Sequence, residues 1–153
     1  MAESGFCFSP VGFVENGFLE VPVDPEAFEG VVSRVRVLPE FVRGLYRIEG
    51  FARLYVVFVF DRSEGYSLVV HPRGDPDRPE RGVFATHSPG RPNAIGLTVV
   101  ELLGVEDGTL TVRGLDAVDG TPVLDIKPYM TEFAPRTPVV QPAWSHELMA
   151  DYY

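Results

Sequence analysis

The sequence predicts a mainly β protein: a small antiparallel β-barrel, closed or nearly so, with one or two short helices. Three observations point there. Short runs rich in β-branched and aromatic residues recur along the whole chain. They are separated by 15 glycines and 14 prolines in 153 residues. Helical spacing, in contrast, is visible in only two places.

Strands are expected in order over Ser9–Glu15, Val31–Val37, Arg53–Phe60, Tyr66–Val70, Gly82–Thr86, Leu97–Leu103, Leu110–Leu115 and Val123–Tyr129. Arg53–Phe60 is almost continuously apolar, the pattern of a central strand buried on both faces. Asp107-Gly108 stands between two such runs and is a strong two-residue hairpin signal. Pro39–Tyr46 is expected to be a short helix, with Phe41 and Leu45 spaced i, i+4 for a buried stripe. Pro142–Tyr152 is expected to be a second, with Trp144, Leu148 and Tyr152 on one side. His71–Arg81 is a proline-rich polar loop. No internal repeat or linker divides the chain, so a single domain is expected over residues 1–153.

Composition excludes several function classes. The longest apolar run, Leu54 to Phe60, is far short of the roughly 20 residues of a membrane-spanning helix. No basic region followed by an apolar one marks a secretory leader, so a cytoplasmic location is expected. A single cysteine, Cys7, allows no internal disulfide, and His71, His87 and His146 lack metal-like spacing, so no metal site is expected. There is no G-x-G-x-x-G before a helix and no Walker loop, which argues against a Rossmann nucleotide site. Ser88 and Ser145 lack the strand–turn–helix setting of a hydrolase nucleophile. The net charge of −9 argues against a generally basic nucleic-acid binder. Charge is uneven, however: Arg34, Arg36, Arg43, Arg47 and Arg53 face only Glu40 and Glu49 in their window. A local cationic face and a set of separately solvated arginines both fit that pattern.

Two segments carry candidate chemistry. Lys127 is the only lysine; the other twelve basic residues are arginines. Strand periodicity puts Asp125, Lys127 and Tyr129 on one face, roughly 6–7 Å apart between successive Cα atoms. A carboxylate, an ammonium and a phenol in a row serve either as a reactive set or as a plain structural ion pair. The second segment is the loop Thr86-His87-Ser88-Pro89-Gly90-Arg91-Pro92-Asn93-Ala94-Ile95-Gly96. Its prolines stiffen it and its glycines relax it locally. Hydroxyl, amide and guanidinium groups on Ser88, Asn93 and Arg91 suit a small polar ligand. A structural corner with a capping Asn93 fits the same residues.

The segment Gly82–Leu97, G-V-F-A-T-H-S-P-G-R-P-N-A-I-G-L, resembles a signature of the TsaA-like family. So does Leu115–Tyr129, L-D-A-V-D-G-T-P-V-L-D-I-K-P-Y. The resemblance extends more weakly to Gly44–Phe60 and Pro10-Val11-Gly12, giving a signature region of residues 9–135 and a tail of 136–153. It implies a small β-barrel that binds S-adenosylmethionine without a Rossmann sheet and acts as a homodimer, the cofactor lying near the subunit interface. It further implies a methyltransferase acting on N6 of threonylcarbamoyladenosine beside the tRNA anticodon. By motif position, cofactor contacts fall on His87, Leu97 and the turn of Asp116, Ala117, Val118, Asp119 and Gly120, with Asp61 and Arg62 as a further region. The loop residues Ser88, Arg91 and Asn93 join this set. Two positions depart from the family: His87 replaces its usual arginine and Ala94 its usual proline. The family's proline- and glutamine-rich N-terminal segment has no clear counterpart around Asn16–Pro25, and the chain resembles the family's short form.

Methyl transfer from a sulfonium is an in-line displacement that needs alignment and the removal of one proton. Asp125 or Asp119 is the expected base, and Lys127, beside Tyr129, the expected anion-stabilising group. The arginines of residues 34–53 would then meet phosphate of a tRNA anticodon loop. A methyltransferase of the same fold acting on a small molecule, and a non-catalytic cofactor-binding module, remain alternatives.

Overall fold

The computed structural model describes residues 5–22 and 25–150. Its strands in chain order are β1 (Gly12–Glu15), β2 (Val32–Val37), β3 (Arg53–Val59), β4 (Val69–Val70), β5 (Arg81–Gly82), β6 (Ile95–Glu106), β7 (Thr109–Arg113) and β8 (Pro122–Pro128). Six of them close a barrel in the order β1-β2-β7-β6-β3-β8, and every neighbouring pair is antiparallel. β4 and β5 form a separate two-stranded ribbon.

Side chains alternate across a strand, so one set from each strand fills a narrow barrel and the other faces outward. The inward set is Val14, Val35, Val37, Leu54, Val56, Phe58, Val100, Leu110, Val112 and Val123, all buried. Gly96 is required by this packing. A methyl group on it would stand 2.4 Å from the Phe58 ring, so the ring occupies the space a side chain would need.

The two ends of the barrel differ. At one end β2 runs into β3 through a 3₁₀ turn, Pro39–Leu45, and a second, Ile48–Gly50. Leu45 is buried in the core and Val42, Ile48 and Phe51 pack against it, so apolar side chains plug this end. The Asp107-Gly108 hairpin lies at the same end, with positive φ at both residues (47° and 75°), as a type I′ turn demands. The other end carries three connections, 16–31, 60–94 and 114–121, and forms the mouth.

Several expectations are corrected. Gly82–Thr86 is not a strand. After β5 the chain turns into a 3₁₀ segment, Val83–Ala85, because the Thr86 amide and hydroxyl both donate to the Val83 carbonyl and take it from any ladder. Tyr66–Val70 shrinks to the two residues of β4, and Ser9–Glu15 to the four of β1. Leu97–Leu103 extends to twelve residues in β6, because the hairpin continues its ladder with β7 as far as Glu106. Pro39–Leu45 is 3₁₀ and not α, and Phe41 is exposed while Leu45 alone is buried, since threefold winding moves i and i+4 off a common stripe. β3 is fully buried on its inner face only, because the closed barrel leaves its outer face, Tyr55, Val57 and Val59, half-buried. The C-terminal helix, α1, spans Ala143–Met149 with Trp144 and Leu148 half-buried. Tyr152, expected on the same side, lies outside the described residues. Among the described residues no helix is long and apolar enough to cross a membrane.

Candidate functional site

The mouth of the barrel holds two adjoining concavities. The first, of about 310 Å³, is lined by Phe58, Phe60, His87, Arg91, Asn93, Ile95, Gly96, Leu97, Thr98 and Asp116. The second, of about 170 Å³, is lined chiefly by apolar groups of Val21, Phe28, Phe60, Pro89, Ala117 and Val118, with Asp61, Arg62 and Ser63 at its polar edge. Phe58, Phe60 and Asp116 belong to both and form the divide. The two rings meet edge to face, centroids 5.2 Å apart at 77°. The Thr98 hydroxyl, buried on the inner face of β6, donates to the Asp116 carboxylate and anchors it there.

One wall is the loop between the 3₁₀ segment Val83–Ala85 and β6. Arg91 folds back and donates to the Thr86 carbonyl (3.1 Å) and the Ser88 carbonyl (3.5 Å) of its own loop. The Ser88 amide donates to the Thr86 hydroxyl, and Ser63 reaches across to the Pro89 carbonyl. His87 and Asn93 are exposed at the cleft, and neither side chain bonds to another described residue.

The opposite wall is the turn of residues 115–121. Here the partners come from elsewhere in the chain. The Asn16 amide donates to the Asp119 carboxylate at 2.9 Å, and the Asn16 side-chain amide donates to the Ala117 carbonyl at 2.8 Å. Arg62 donates to the Asp119 carbonyl at 2.8 Å and also to that of Leu19.

The structure therefore gathers Asp61, Arg62, His87, Arg91, Asn93, Leu97, Asp116, Ala117 and Val118 around one mouth. Ser88 lies in the loop, and Asp119 and Gly120 in the turn, but none of the three lines either concavity. Asp125, Lys127 and Tyr129 are elsewhere. They lie on the outer face of the barrel, where Lys127 and Asp125 form an ion pair at 2.5 Å with half-exposed or more exposed side chains. Tyr129 packs against Tyr55 with ring centroids 5.3 Å apart. Asp125 nevertheless shares a row with the cleft: it pairs with Val57, and Val57 pairs with Leu97. Two strand spacings put Asp125 and Leu97 roughly 10 Å apart across the sheet.

Phe58, Phe60, Thr98, Val21 and Phe28 lie outside the set of site residues expected from sequence. Phe58 and Phe60 carry a signal, since their alternation at the end of β3 leads directly into Asp61-Arg62. Thr98, Val21 and Phe28 carry none, because only barrel closure brings them to the mouth.

The arginines are divided in use. Arg36 pairs with Glu15, Arg113 with Glu101 and Arg78 with Asp75. Arg47 lies over the Tyr46 ring at 5.3 Å. Arg34, Arg43 and Arg53 are exposed without an ion pair to a described residue.

Comparison with known proteins bears on this geometry. The family described as tRNA-methyltransferase O N-terminal domain matches residues 16–134. An S-adenosyl-L-methionine-binding protein of Archaeoglobus fulgidus is 43% identical over 125 residues, covering 80% of this chain and 88% of that one. A tRNA (adenine(37)-N6)-methyltransferase of Homo sapiens is 36% identical over 143 residues, covering 87% of this chain and 32% of that one. Among solved structures, TrmO of Pseudomonas aeruginosa superposes with a TM-score of 0.71 at 32% identity, covering 92% of this chain. This chain spans 62% of that structure's length.

Proposed function

The chain belongs to the tRNA-methyltransferase O N-terminal-domain family, and from that premise we propose that it is an S-adenosylmethionine-dependent methyltransferase acting on N6 of a modified adenine, threonylcarbamoyladenosine, beside the tRNA anticodon. The observation that carries the proposal is the two-part mouth. A chamber with an imidazole, a guanidinium and an amide adjoins one lined by Val21, Phe28, Ala117 and Val118. A ligand with a flat heterocycle at one end and a charged amino acid at the other fits such a pair. The cofactor, when bound, supplies an electrophilic methyl group.

The chain's own groups would orient and screen. Phe58 and Phe60 exclude water from the divide, and Asp116, held by Thr98, offers a fixed carboxylate to hydroxyl or ammonium groups. His87, Arg91 and Asn93 fit the polar end, and Asp61 with Arg62 the rim of the apolar one. On the outer face Asp125 is the proposed proton acceptor, and Lys127, with Tyr129 beside it, the group that holds an anionic substituent of the substrate base. Arg34, Arg43 and Arg53, free of ion pairs among the described residues, are the phosphate contacts in this reading.

We further propose a homodimer in the cytoplasm. Ile95, Leu97 and Val99 are exposed in a row along the outer face of β6, next to the cleft, and a second copy there would cover both apolar wall and cofactor. A small-molecule methyltransferase is the second reading, favoured by the net charge of −9, which opposes tRNA. Calorimetry with S-adenosylmethionine tests the cofactor, and mass spectrometry of tRNA nucleosides after incubation tests the acceptor. Binding without any methylated nucleoside would move the assignment to the second reading. No heat at millimolar ligand would overturn both.

A further inference from the structure

We propose that Asn16 is a positioning residue that sets the 115–121 turn against the cleft, and that the Asp119 carboxylate acts through Asn16 and not as a proton acceptor. The inference rests on the mouth being the cofactor site.

Asn16 follows the last residue of β1, at the start of the connection to β2, and its backbone amide and both polar atoms of its side chain are engaged. Its backbone amide donates to Asp119 Oδ1. Its side-chain oxygen accepts the Phe18 amide at 3.0 Å. Its side-chain amide donates to the Ala117 carbonyl and to Ser33 Oγ, the latter at 3.0 Å. Ser33 is 1% exposed, and Asn16 is the described partner of its hydroxyl. Residues 14–18 and the turn are also joined along their backbones. The Asp119 amide donates to the Phe18 carbonyl and the Gly120 amide to the Val14 carbonyl, both at 2.8 Å. Arg62 closes the arrangement by donating to the carbonyls of Leu19 and Asp119.

The consequence reaches the cleft on two sides. Ala117 and Val118, which line the apolar chamber, hang from the turn that Asn16 holds. Phe18, fixed by the Asn16 side chain, packs on Phe28 with centroids 4.9 Å apart, and Phe28 lines the same chamber. Asp119 itself lines neither chamber. A carboxylate that accepts the Asn16 amide and lines neither chamber is poorly placed to take a proton from a substrate bound there. A small displacement of such a wall is felt strongly in ligand affinity.

The test uses the full chain with three variants: Asn16→Ala, which removes the side-chain bonds and keeps the backbone amide, Asp119→Ala and Asp119→Asn. The side chain introduced by Asp119→Asn still offers an oxygen to the Asn16 amide but cannot serve as a base. That variant should therefore keep kcat within about threefold, while each alanine variant raises the cofactor KM about tenfold or more with kcat largely retained. Loss of kcat in Asp119→Asn with KM unchanged would make Asp119 the base and overturn the proposal. An unchanged KM in Asn16→Ala would overturn it equally. Should Asn16→Ala fail to fold, Asp119→Ala against Asp119→Asn decides, since a positioning role predicts rescue by asparagine. Hydrogen exchange on the ligand-free chain separates this inference from the cofactor assignment. The Asp119 and Gly120 amides should exchange faster in Asn16→Ala than in the wild type, and unchanged exchange would overturn the proposal whatever the wild type binds.

Discussion

Two segments face each other across the mouth, and they are held in opposite ways. The 86–96 loop is largely self-contained: Arg91 bonds to Thr86 and Ser88 within it, and the Thr86 hydroxyl organises both the preceding turn and the Ser88 amide. The 115–121 turn is held from outside, by Asn16 about a hundred residues away in sequence and by Arg62. Both carry a signature-like motif and both line the cleft. The lesson is that a motif does not reveal how its geometry is enforced. A self-contained loop keeps its shape when the rest of the molecule is perturbed; an externally tied turn shifts with its ties.

That contrast can be broken by experiment. The largest effect is expected where the first loop enters β6. Gly96→Ala would drive a methyl group to 2.4 Å from the Phe58 ring at the divide between the chambers. It should destabilise the fold by about 1–3 kcal/mol, the usual range for overpacking, and weaken cofactor binding as well. Denaturant unfolding checks the first and calorimetry the second; an unchanged midpoint would mean that Phe58 turns aside freely.

The sharper comparison sets Arg62→Ala beside Arg91→Ala. Arg62 ties two distant carbonyls, so its loss should lower stability by about 1 kcal/mol, a figure kept small because the side chain is exposed. Cofactor affinity should fall with it. Arg91→Ala should lower affinity while stability stays within about 0.5 kcal/mol of wild type. Equal stability losses in both variants would erase the distinction between the two walls.

On the outer face, Lys127→Arg keeps the charge and changes its geometry. The pair is well exposed, so stability should stay within about 0.5 kcal/mol while kcat falls. Asp125→Asn should lower kcat likewise without loss of cofactor binding. Parallel losses of activity and stability would return the pair to a purely structural role. The smallest effect is expected at His87. Its side chain takes no part in the internal bonding of the loop, so His87→Arg should leave the melting temperature unchanged. A permanent charge at the polar chamber should tighten cofactor binding by only about 0.3–1 kcal/mol, the scale of an exposed ion pair. A large gain would show that the histidine limits binding in this chain.

The sequence by itself determined the barrel and its punctuation. Alternation in Val32–Val37, the apolar run of Arg53–Val59, the Asp107-Gly108 hairpin and the scarcity of helical spacing are local patterns, and local patterns dictate strands and turns through backbone sterics and side-chain periodicity. It also marked nine of the nineteen residues that line the mouth, seven of them in the contiguous motifs of the 86–97 and 115–121 segments. Tertiary structure alone decided three further matters. Closure in the order β1-β2-β7-β6-β3-β8 put the 16–31, 60–94 and 114–121 connections at one end and so made one cleft from three segments. Strand direction sent Asp125 and Lys127 to the outer face, a fact their alternation could not give because period two fixes a shared face without saying which one. Asn16 acquired its place only when Asp119, Ala117 and Ser33 converged on it. Those hydrogen bonds join residues far apart in sequence, and such pairings exist only once the chain has closed.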